Sequence, residues 1–302
     1  MATAHQVTPH TLRKIKKVAV LTDFSDNADT ALRFAAAFSR GYKAEIVLAH
    51  AYIRPPCAYA APEVKLGHQT LDAFRQLLGD QLLRKIEATY LQDIRCAVVL
   101  REGTPKELLQ ELRGVDLIVV GTSGATGFTK AALGSTAEMI FRSSTVPVLT
   151  VGPHCRCSGA ESIVLNTILY ATDFSPGSAV ALASALLIAG EHNAKLVLLH
   201  VAHDKDVPFS FERTMASGEP LEELRKLVPG GIELKRPPMY LVGFGTPEET
   251  IIGEAKKDRA DMIIVAARGA SKFRSAISHL SGGTAYRIAA DADCPVLAIC
   301  ES

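Results

Sequence analysis

Leu21-Thr22-Asp23-Phe24-Ser25 returns 150 positions later as Ala171-Thr172-Asp173-Phe174-Ser175. At the same offset, Val47-Leu48-Ala49-His50 returns as Val197-Leu198-Leu199-His200. Three further pairs follow in the same order along both halves of the chain: Gly103–Pro105 with Gly245–Pro247, Asp116–Val120 with Asp261–Val265, and Val146–Leu149 with Cys294–Leu297. Five ordered matches indicate a duplicated domain, so the differences between the copies carry functional information.

The composition is that of a globular chain with two domains. Of its 302 residues 48% are hydrophobic, and 33 basic side chains face 32 acidic ones. Each half is long enough to bury its own core. The balanced charge argues against a general nucleic-acid binder, and the N-terminal residues contain no apolar signal segment. The most apolar stretch, Val180–Gly190, is too short to span a membrane. We therefore expect a cytoplasmic protein that binds neither nucleic acid nor membrane.

The cysteines are expected to be reduced thiols rather than a metal or redox site. None of the six forms a C-x-x-C pair. Cys155 and Cys157 are separated by one residue beside His154, which is a poor spacing for zinc. We interpret them as exposed thiols of a linker and predict no metal site.

Strands are predicted to alternate with helices in both halves. The predicted strands are Lys17–Leu21, Glu45–His50, Cys96–Leu100, Asp116–Val120 and Val146–Val151, then Thr167–Ala171, Lys195–His200, Pro238–Val242, Asp261–Ala266 and Pro295–Cys300. The helices predicted in the first half are Thr30–Arg40, Leu71–Tyr90, Pro105–Leu112 and Ser135–Arg142. Alternation with continuous apolar runs predicts an α/β fold: two tandem doubly wound domains, each a five-stranded parallel sheet covered on both faces.

Composition also suggests the domain boundaries. We predict an N-terminal tail at residues 1–14, a first domain at 15–153, a linker at 154–162 and a second domain at 163–302. Within the second domain, Ala202–Pro237 contains several prolines and is predicted to be a mobile loop around one short helix, Leu221–Leu227.

A glycine-rich segment follows the fourth predicted strand. It runs from Gly121 through Gly124 and Gly127 and is followed by Gly134-Ser135-Thr136 at the start of a predicted helix. Glycines allow close backbone approach to a ligand, and the first turn of a helix offers free N–H donors to a phosphate. Glycines serve tight turns equally well, so the segment alone leaves both interpretations open.

The spacing G-x2-G-x9-G-[ST], met by Gly121, Gly124, Gly134 and Ser135, resembles the ATP-binding signature of the universal stress protein family. The opening Thr22–Ser25 and the closing Val146–Leu149 also resemble that family. The resemblance covers both halves and implies the adenine-nucleotide α-hydrolase-like fold with strand order 3-2-1-4-5. In that order strands 1 and 4 are neighbours at the topological switch point, where open α/β sheets bind ligands.

The resemblance implies a nucleotide site in the first domain. Asp23, beside Thr22, would bind the ribose or the adenine edge, while Ala51, just after strand 2, and Val120 would line the adenine slot. Six residues would surround the phosphates: Gly121, Ser123, Gly124, Gly134, Ser135 and Thr136. The implied ligand is ATP or a related adenine nucleotide, with or without Mg²⁺.

Two alternatives apply to individual residues. Asp23 could cap a helix instead of binding ligand, but Ser25 is better placed for that. His50 recurs as His200, and a histidine that ends a buried strand is more often a hydrogen-bonded core residue than a catalyst. No lysine matches a P-loop pattern, and we assign no catalytic residue.

The second copy departs from the signature. Ala266 replaces Gly121, adding a methyl group where the backbone should approach phosphate, and Arg268 replaces Ser123. Arg268 would either pair with Asp173 or recruit a different anion. The next glycine candidate, Gly282, comes three residues late. These changes predict one ATP per chain.

The favoured function is therefore a tandem universal-stress-type protein that binds ATP in its first domain, with a structural or regulatory second domain and a stress-response or regulatory role. The alternatives are a protein-binding regulator without nucleotide and a slow ATPase or phosphotransfer enzyme. We also expect the halves to pair through Val146–Val151 and Pro295–Cys300, as family members pair in dimers, and a homodimer is compatible with this arrangement.

Overall fold

The computed structural model describes residues 15–53, 68–122, 133–153, 155, 163–202, 218–232, 234–267 and 283–300. The chain divides into two compact units, one holding Ile15–Ile163 and the other Val164–Ser302. The predicted tail, residues 1–14, lies outside the described residues, as does the predicted linker except for Cys155. The pairing of the two halves through their last strands stays a prediction.

The first unit is a five-stranded parallel sheet. Its elements are β1 (Lys17–Leu21), α1 (Asp26–Tyr42), β2 (Glu45–Tyr52), α2 (His68–Ile86), a 3-10 turn (Thr89–Leu91), β3 (Cys96–Glu102), α3 (Pro105–Glu111), β4 (Leu117–Gly121), α4 (Ser135–Ser143) and β5 (Val148–Val151). The strands lie in the order β3-β2-β1-β4-β5. The predicted fold class and strand order are confirmed.

The second unit repeats this plan. Its elements are β6 (Thr167–Thr172), α5 (Pro176–His192), β7 (Lys195–Ala202), α6 (Gly218–Leu227), β8 (Met239–Phe244), α7 (Pro247–Lys257), β9 (Met262–Ala267), α8 (Thr284–Asp291) and β10 (Val296–Cys300). Its strand order, β8-β7-β6-β9-β10, repeats the strand order of the first unit, and its paired strands are parallel.

The sheets are covered because apolar runs bury both faces of their strands. Within the first unit α1 packs on β1, β4 and β5, and α2 packs on β2 and β3, while α3 packs on β2 and against α4. All four residues of β5 and the first four of β4 are buried. Right-handed crossovers put α1 and α2 on one face and α3 and α4 on the other.

Several predicted element ends need correction: β3, β7 and β8 run two residues beyond their predicted ends, and β2 and α6 differ as follows. β2 continues to Tyr52, because its ladder with β3 extends through Ala51–Arg101 and Tyr52–Glu102. Ala51 therefore lies within the strand and not just after it. In the second unit α6 begins at Gly218, three residues before the predicted start, while 203–217 lie outside the described residues.

Some repeated motifs serve the fold rather than a ligand. The Asp116 carboxylate accepts hydrogen bonds from the Lys16 and Lys17 N–H groups at 2.8 and 2.9 Å. Its counterpart Asp261 accepts from Asn166 and Thr167 at 2.7 and 3.0 Å. Both carboxylates satisfy backbone donors where the chain enters a central strand, which explains why each copy has an aspartate there.

Another repeated motif builds a helix start. Gly103 has φ 138° and Gly245 has φ 119°, a left-handed conformation that glycine adopts without steric cost. Thr104 then caps α3 in a reciprocal capping box with Glu107, and Pro105 stands in the first turn. Glycine, threonine and proline are thus accounted for by local backbone geometry.

Candidate functional site

The turn after β1 presents a carboxylate at the carboxyl edge of the sheet. The Thr22 N–H donates to Ala49 O at 3.0 Å, and the Thr22 hydroxyl oxygen accepts from the Phe24 N–H at 3.0 Å. Phe24 has φ 66°, which reverses the chain within one residue. Thr22 is buried while Asp23, between them, is exposed, so the turn holds Asp23 at the surface.

The Asp23 carboxylate is oriented by its neighbour. Its Oδ1 accepts from both the N–H and the hydroxyl of Ser25. Ser25 is the N-cap of α1, since its hydroxyl oxygen accepts from the Ala28 N–H at 3.2 Å. Capping is therefore the role of Ser25, and Asp23 stands beside the helix start as an exposed acceptor.

His50 links the ends of β1 and β2. Its Nδ1 lies 2.7 Å from Thr22 O, and its ring centroid lies 4.6 Å from that of Phe24. Burial lowers the pKa of His50, against the opposing effects of the Thr22 carbonyl and the Asp23 charge. Because a carbonyl only accepts, Nδ1 carries the proton in the neutral ring. His200 makes the same contact with Thr172 O at 3.0 Å, so this histidine stabilises the fold in both copies.

β4 delivers the glycine-rich segment beside Asp23. Leu21 and Val120 are register partners of β1 and β4, so the residues that follow them lie at neighbouring strand ends. Val120 is only 4% exposed, whereas Ala51 is partly exposed.

Gly121 is a glycine for a reason that the sequence did not reveal. A Cβ at this position would lie 2.7 Å from Asn27 Nδ2 and 3.2 Å from the Asn27 carbonyl carbon. A side chain on residue 121 would therefore point at the first turn of α1. The structure thus gives a packing reason for this glycine, beside the expected approach of phosphate, which stays a prediction.

The base of the glycine-rich loop is closed by backbone hydrogen bonds. The Thr122 N–H donates to Val151 O at 3.0 Å, and the Gly134 N–H donates to Thr122 O at 2.7 Å. Gly134 is the N-cap residue of α4, which has no side-chain cap hydrogen bond, and the next residues, Ser135 and Thr136, are exposed. Ser123 and Gly124 lie outside the described residues.

The starts of α1 and α4 thus lie at the carboxyl edge of the sheet, on either side of the β1–β4 junction. N–H groups of a first helical turn have no intrahelical acceptor and attract anions. The structure brings together Thr22, Asp23, Gly121, Gly134, Ser135 and Thr136. Sequence reasoning missed Thr122 and Asn27: Thr122 was signalled only by its place between Gly121 and Ser123, and Asn27 by nothing.

The second domain builds the same turn with a different support. Asp173 Oδ1 accepts from the Ser175 N–H at 3.0 Å and from the Ser178 hydroxyl at 2.6 Å. The Tyr170 hydroxyl donates to Ser178 O at 2.7 Å from a fully buried ring. Burial acts to raise the pKa of Asp173, but the hydrogen bonds from Ser175 and Ser178 together lower it. Val20 and Ala28 occupy the positions of Tyr170 and Ser178 in the first domain.

The second loop is longer than the sequence alone indicated. α8 begins after the N-cap residue Gly283, not after Gly282. Gly134 stands 13 positions after Gly121, and Gly283 stands 17 positions after Ala266, so the second loop has four extra residues instead of three. Arg268, Gly269 and Gly282 lie outside the described residues.

Neither a metal cluster nor a membrane helix occurs in the part of the chain that the structure describes. No three histidine, cysteine, aspartate or glutamate side chains there come together to hold an ion. No described helix is long and apolar enough to span a bilayer. Cys96, Cys155 and Cys294 are reduced thiols. Cys155, predicted to be exposed, is buried, and its Sγ accepts from the Gly152 N–H at 3.1 Å.

Comparisons with known proteins agree with this architecture. The universal stress protein family model matches twice, at residues 14–152 and 165–299. A universal stress protein of Mycolicibacterium smegmatis is 25% identical over 298 residues, which cover 93% of this chain and 96% of that one. One from Methanocaldococcus jannaschii is 27% identical over 152 residues, covering 45% of this chain and 94% of that one.

The solved structures show the same fold. A universal stress protein from Archaeoglobus fulgidus superposes with a TM-score of 0.67 at 20% identity, covering 95% of this chain and 98% of its own. Together with the two family matches, which take in most of the chain, these findings identify its class. The chain belongs to the universal stress protein family, as a tandem member with two such domains.

Proposed function

We propose that the first domain binds ATP or a related adenine nucleotide in the crevice between the ends of β1 and β4. The observation that carries the proposal is the hydrogen bond from the Gly134 N–H to Thr122 O. It brings the start of α4 to the end of β4, one strand away from the exposed Asp23. An acceptor for ribose hydroxyls and donors for phosphates thereby lie at one edge.

Each group has a defined part in this proposal. Asp23 accepts from the ribose, and Ala51 contacts the base. Ser135 and Thr136 offer hydroxyl groups, and the first turn of α4 offers N–H donors, to the phosphate oxygens. Ser123 and Gly124 complete the loop on the strength of the family signature that their spacing matches.

Mg²⁺ fits this crevice as a companion of the phosphates. The Asp23 carboxylate is the one acidic group among the proposed ligand residues, and Mg²⁺ in nucleotide sites keeps several waters and binds one or two carboxylates. Asp23 would hold the ion only together with phosphate oxygens, in a bound state in which phosphate and not ribose lies beside it. The ion would reduce the repulsion between the nucleotide and this carboxylate.

Within the cell we propose a regulatory role in the stress response, carried out in the cytoplasm, with the second domain as a structural or regulatory partner. Nucleotide occupancy of the first domain would be the regulated variable. Self-association of the chain belongs to the same proposal.

Isothermal titration calorimetry of the full chain with ATP, at fixed salt and with or without Mg²⁺, tests the ligand. We expect one site per chain with a Kd in the micromolar range, about −8 kcal/mol. GTP, ADP and cyclic AMP in the same buffer define the base and phosphate preferences. Absence of ATP binding at high micromolar concentration contradicts the proposal, and two equivalent sites contradict the assignment to the first domain alone.

A further inference from the structure

The residue pair at the floor of the crevice is inverted between the two domains. Asn27 is the second residue of α1, and Gly121 ends β4; Gly177 and Ala266 occupy the corresponding positions of α5 and β9. The first domain thus has a side chain on the helix and none on the strand. The second domain has the side chain on the strand and none on the helix.

Geometry in the first domain explains why the two positions depend on each other. Asn27 is 8% exposed, and its Nδ2 lies only 2.7 Å from the position that a Cβ on residue 121 would take. That separation is far inside van der Waals contact, so alanine at 121 requires the amide or the helix to move. Glycine at the helix position removes the obstructing amide, which is the combination found at Gly177 and Ala266.

We propose that Asn27 is a positioning residue of the nucleotide site, acting through Gly121. This inference rests on the proposed function. The Asn27 amide packs against the residue that ends β4, immediately before Thr122 closes the base of the loop. It therefore fixes the position at which the glycine-rich loop leaves the sheet. Because Asn27 itself is buried, we assign it no direct contact with the nucleotide.

We expect loss of this packing to displace the glycine-rich loop and its contacts with the ligand while the domain stays folded. A shift of the loop's starting point by a fraction of an ångström misaligns several hydrogen bonds to phosphate together. Asn27→Ala keeps a helix-compatible residue at the second position of α1 while removing the amide. We expect this variant to be folded at 25 °C and to bind ATP about tenfold more weakly.

A double-mutant cycle on the full chain isolates the steric coupling. Gly121→Ala alone should lower the apparent Tm by roughly 5 °C or more, because the new methyl group meets Asn27. Asn27→Gly combined with Gly121→Ala reproduces the pair of the second domain and should recover much of that loss. If Gly121→Ala does not yield folded protein, recovery of a folded double variant makes the same point. Asn27→Gly alone completes the cycle, and additive effects of the two substitutions on Tm would overturn the coupling.

The binding readout separates positioning from a merely structural role. Wild type, Asn27→Ala and the Asn27→Gly/Gly121→Ala double variant are titrated with ATP well below their unfolding temperatures, with circular dichroism confirming folded protein. Unchanged Kd values in both folded variants would overturn the positioning role. The inverted control, Gly177→Asn with Ala266→Gly, should leave the Kd for ATP at its wild-type value.

The two proposals fail in different ways. Wild type that binds no ATP removes the proposed function, and with it the positioning role, whereas the Tm cycle still reports on the steric unit. Wild type that binds ATP, with variants that bind equally well, removes the positioning role alone.

Discussion

The turn after the first strand is nearly the same in the two domains, while the layer behind it is not. Phe24 and Phe174 have φ 66° and 58°, and their rings lie 4.6 and 4.4 Å from the partner histidine rings. Eight consecutive positions from the strand end into the helix share their burial class. Behind this shared turn, Tyr170 and Ser178 replace smaller apolar residues.

The turn sequence that recurs in the two domains thus has two components. Thr, Phe, Ser and the strand-end histidine maintain the turn in both copies, so their recurrence reports the fold. What differs is the source of the hydroxyl donor to the aspartate: Ser178 supplies it to Asp173, whereas Ser25 supplies it to Asp23, because Ala28 has no hydroxyl. We therefore expect ligand binding to depend on the residues behind the turn and on the glycine-rich loop, and substitutions can test this.

Removal of each aspartate should give the largest difference between the domains. Asp23→Ala deletes a charged acceptor, worth about 1.5–3 kcal/mol, and should raise the Kd for ATP between tenfold and about a hundredfold. Asp173→Ala is the matched control and should leave the Kd unchanged. Calorimetric titration at constant ionic strength measures both. An equal loss in the two variants would show that the domains share the ligand.

Tyr170→Phe should show how much the hydrogen bond between Tyr170 and Ser178 contributes to the free energy of unfolding. The buried hydroxyl donates to Ser178 O at 2.7 Å, and its deletion should cost about 1–2 kcal/mol in the free energy of unfolding. Tyr240→Phe, on a partly exposed strand of the same domain, is the control and should stay within about 0.5 kcal/mol. Urea unfolding followed by circular dichroism compares them.

The same tyrosine should give the second domain an alkaline limit. Burial raises the pKa of Tyr170 from about 10 to about 12. Since the folded pKa lies above the unfolded one, the contribution to stability is complete below pH 10 and is lost as the pH rises towards 12. Tyr170→Phe should flatten the pH profile in that window. A variant with the wild-type decline would assign the limit to another group.

Ser178→Ala, which gives the second domain the first domain's residue, should have a smaller effect. Loss of the hydrogen bond to Asp173 should cost about 0.5–1.5 kcal/mol at neutral pH and raise the pKa of that carboxyl. Because the folded pKa is lowered in wild type, this stabilisation exists above the unfolded value and disappears as the pH falls through the folded one. NMR titration of the aspartates, with unfolding at pH 7 and pH 3, checks the direction.

The smallest effect is expected at an ion pair that only one domain possesses. Arg101 pairs with Glu111 on the surface of the first domain, whereas the corresponding residues are Gly243 and Gly253. Both side chains are 41% exposed, so their coupling should stay below about 0.5 kcal/mol. A cycle of Arg101→Ala and Glu111→Ala measures it. A coupling of several times that value would mean that the pair organises the end of β3.

Sequence periodicity and internal repetition were enough to predict the strands of both sheets. β1 has the predicted bounds, because an apolar run between polar neighbours leaves no alternative register. The end of β2 was predicted two residues short, since Ala51 and Tyr52 continue the strand through pairing with β3, a partner distant in sequence. Strand ends thus depend on ladders that no local pattern encodes.

The glycines of the site could be predicted from the sequence, but the structural reason for a glycine at those positions could not. Gly121 was identified by spacing, yet its missing side chain is explained by Asn27, which is 94 positions earlier and carries no signature. Likewise, Tyr170 and Ser178 read as ordinary members of a strand and a helix until their hydrogen bonds with each other and with Asp173 were seen. Residues that act through packing are visible only once distant segments are brought together.

The closed base of the glycine-rich loop has a consequence for how this fold changes over time. The entropy lost on closing a loop grows slowly with its length, and here the Gly134 N–H and Thr122 O already join the ends. Insertions between those ends therefore add little to the entropic cost of closing the loop. The second domain has four residues more in this interval and keeps the same strand order and final helix. Under the proposed function, ligand preference can therefore diverge by insertion and deletion in a single loop, while the strand order beneath it is kept.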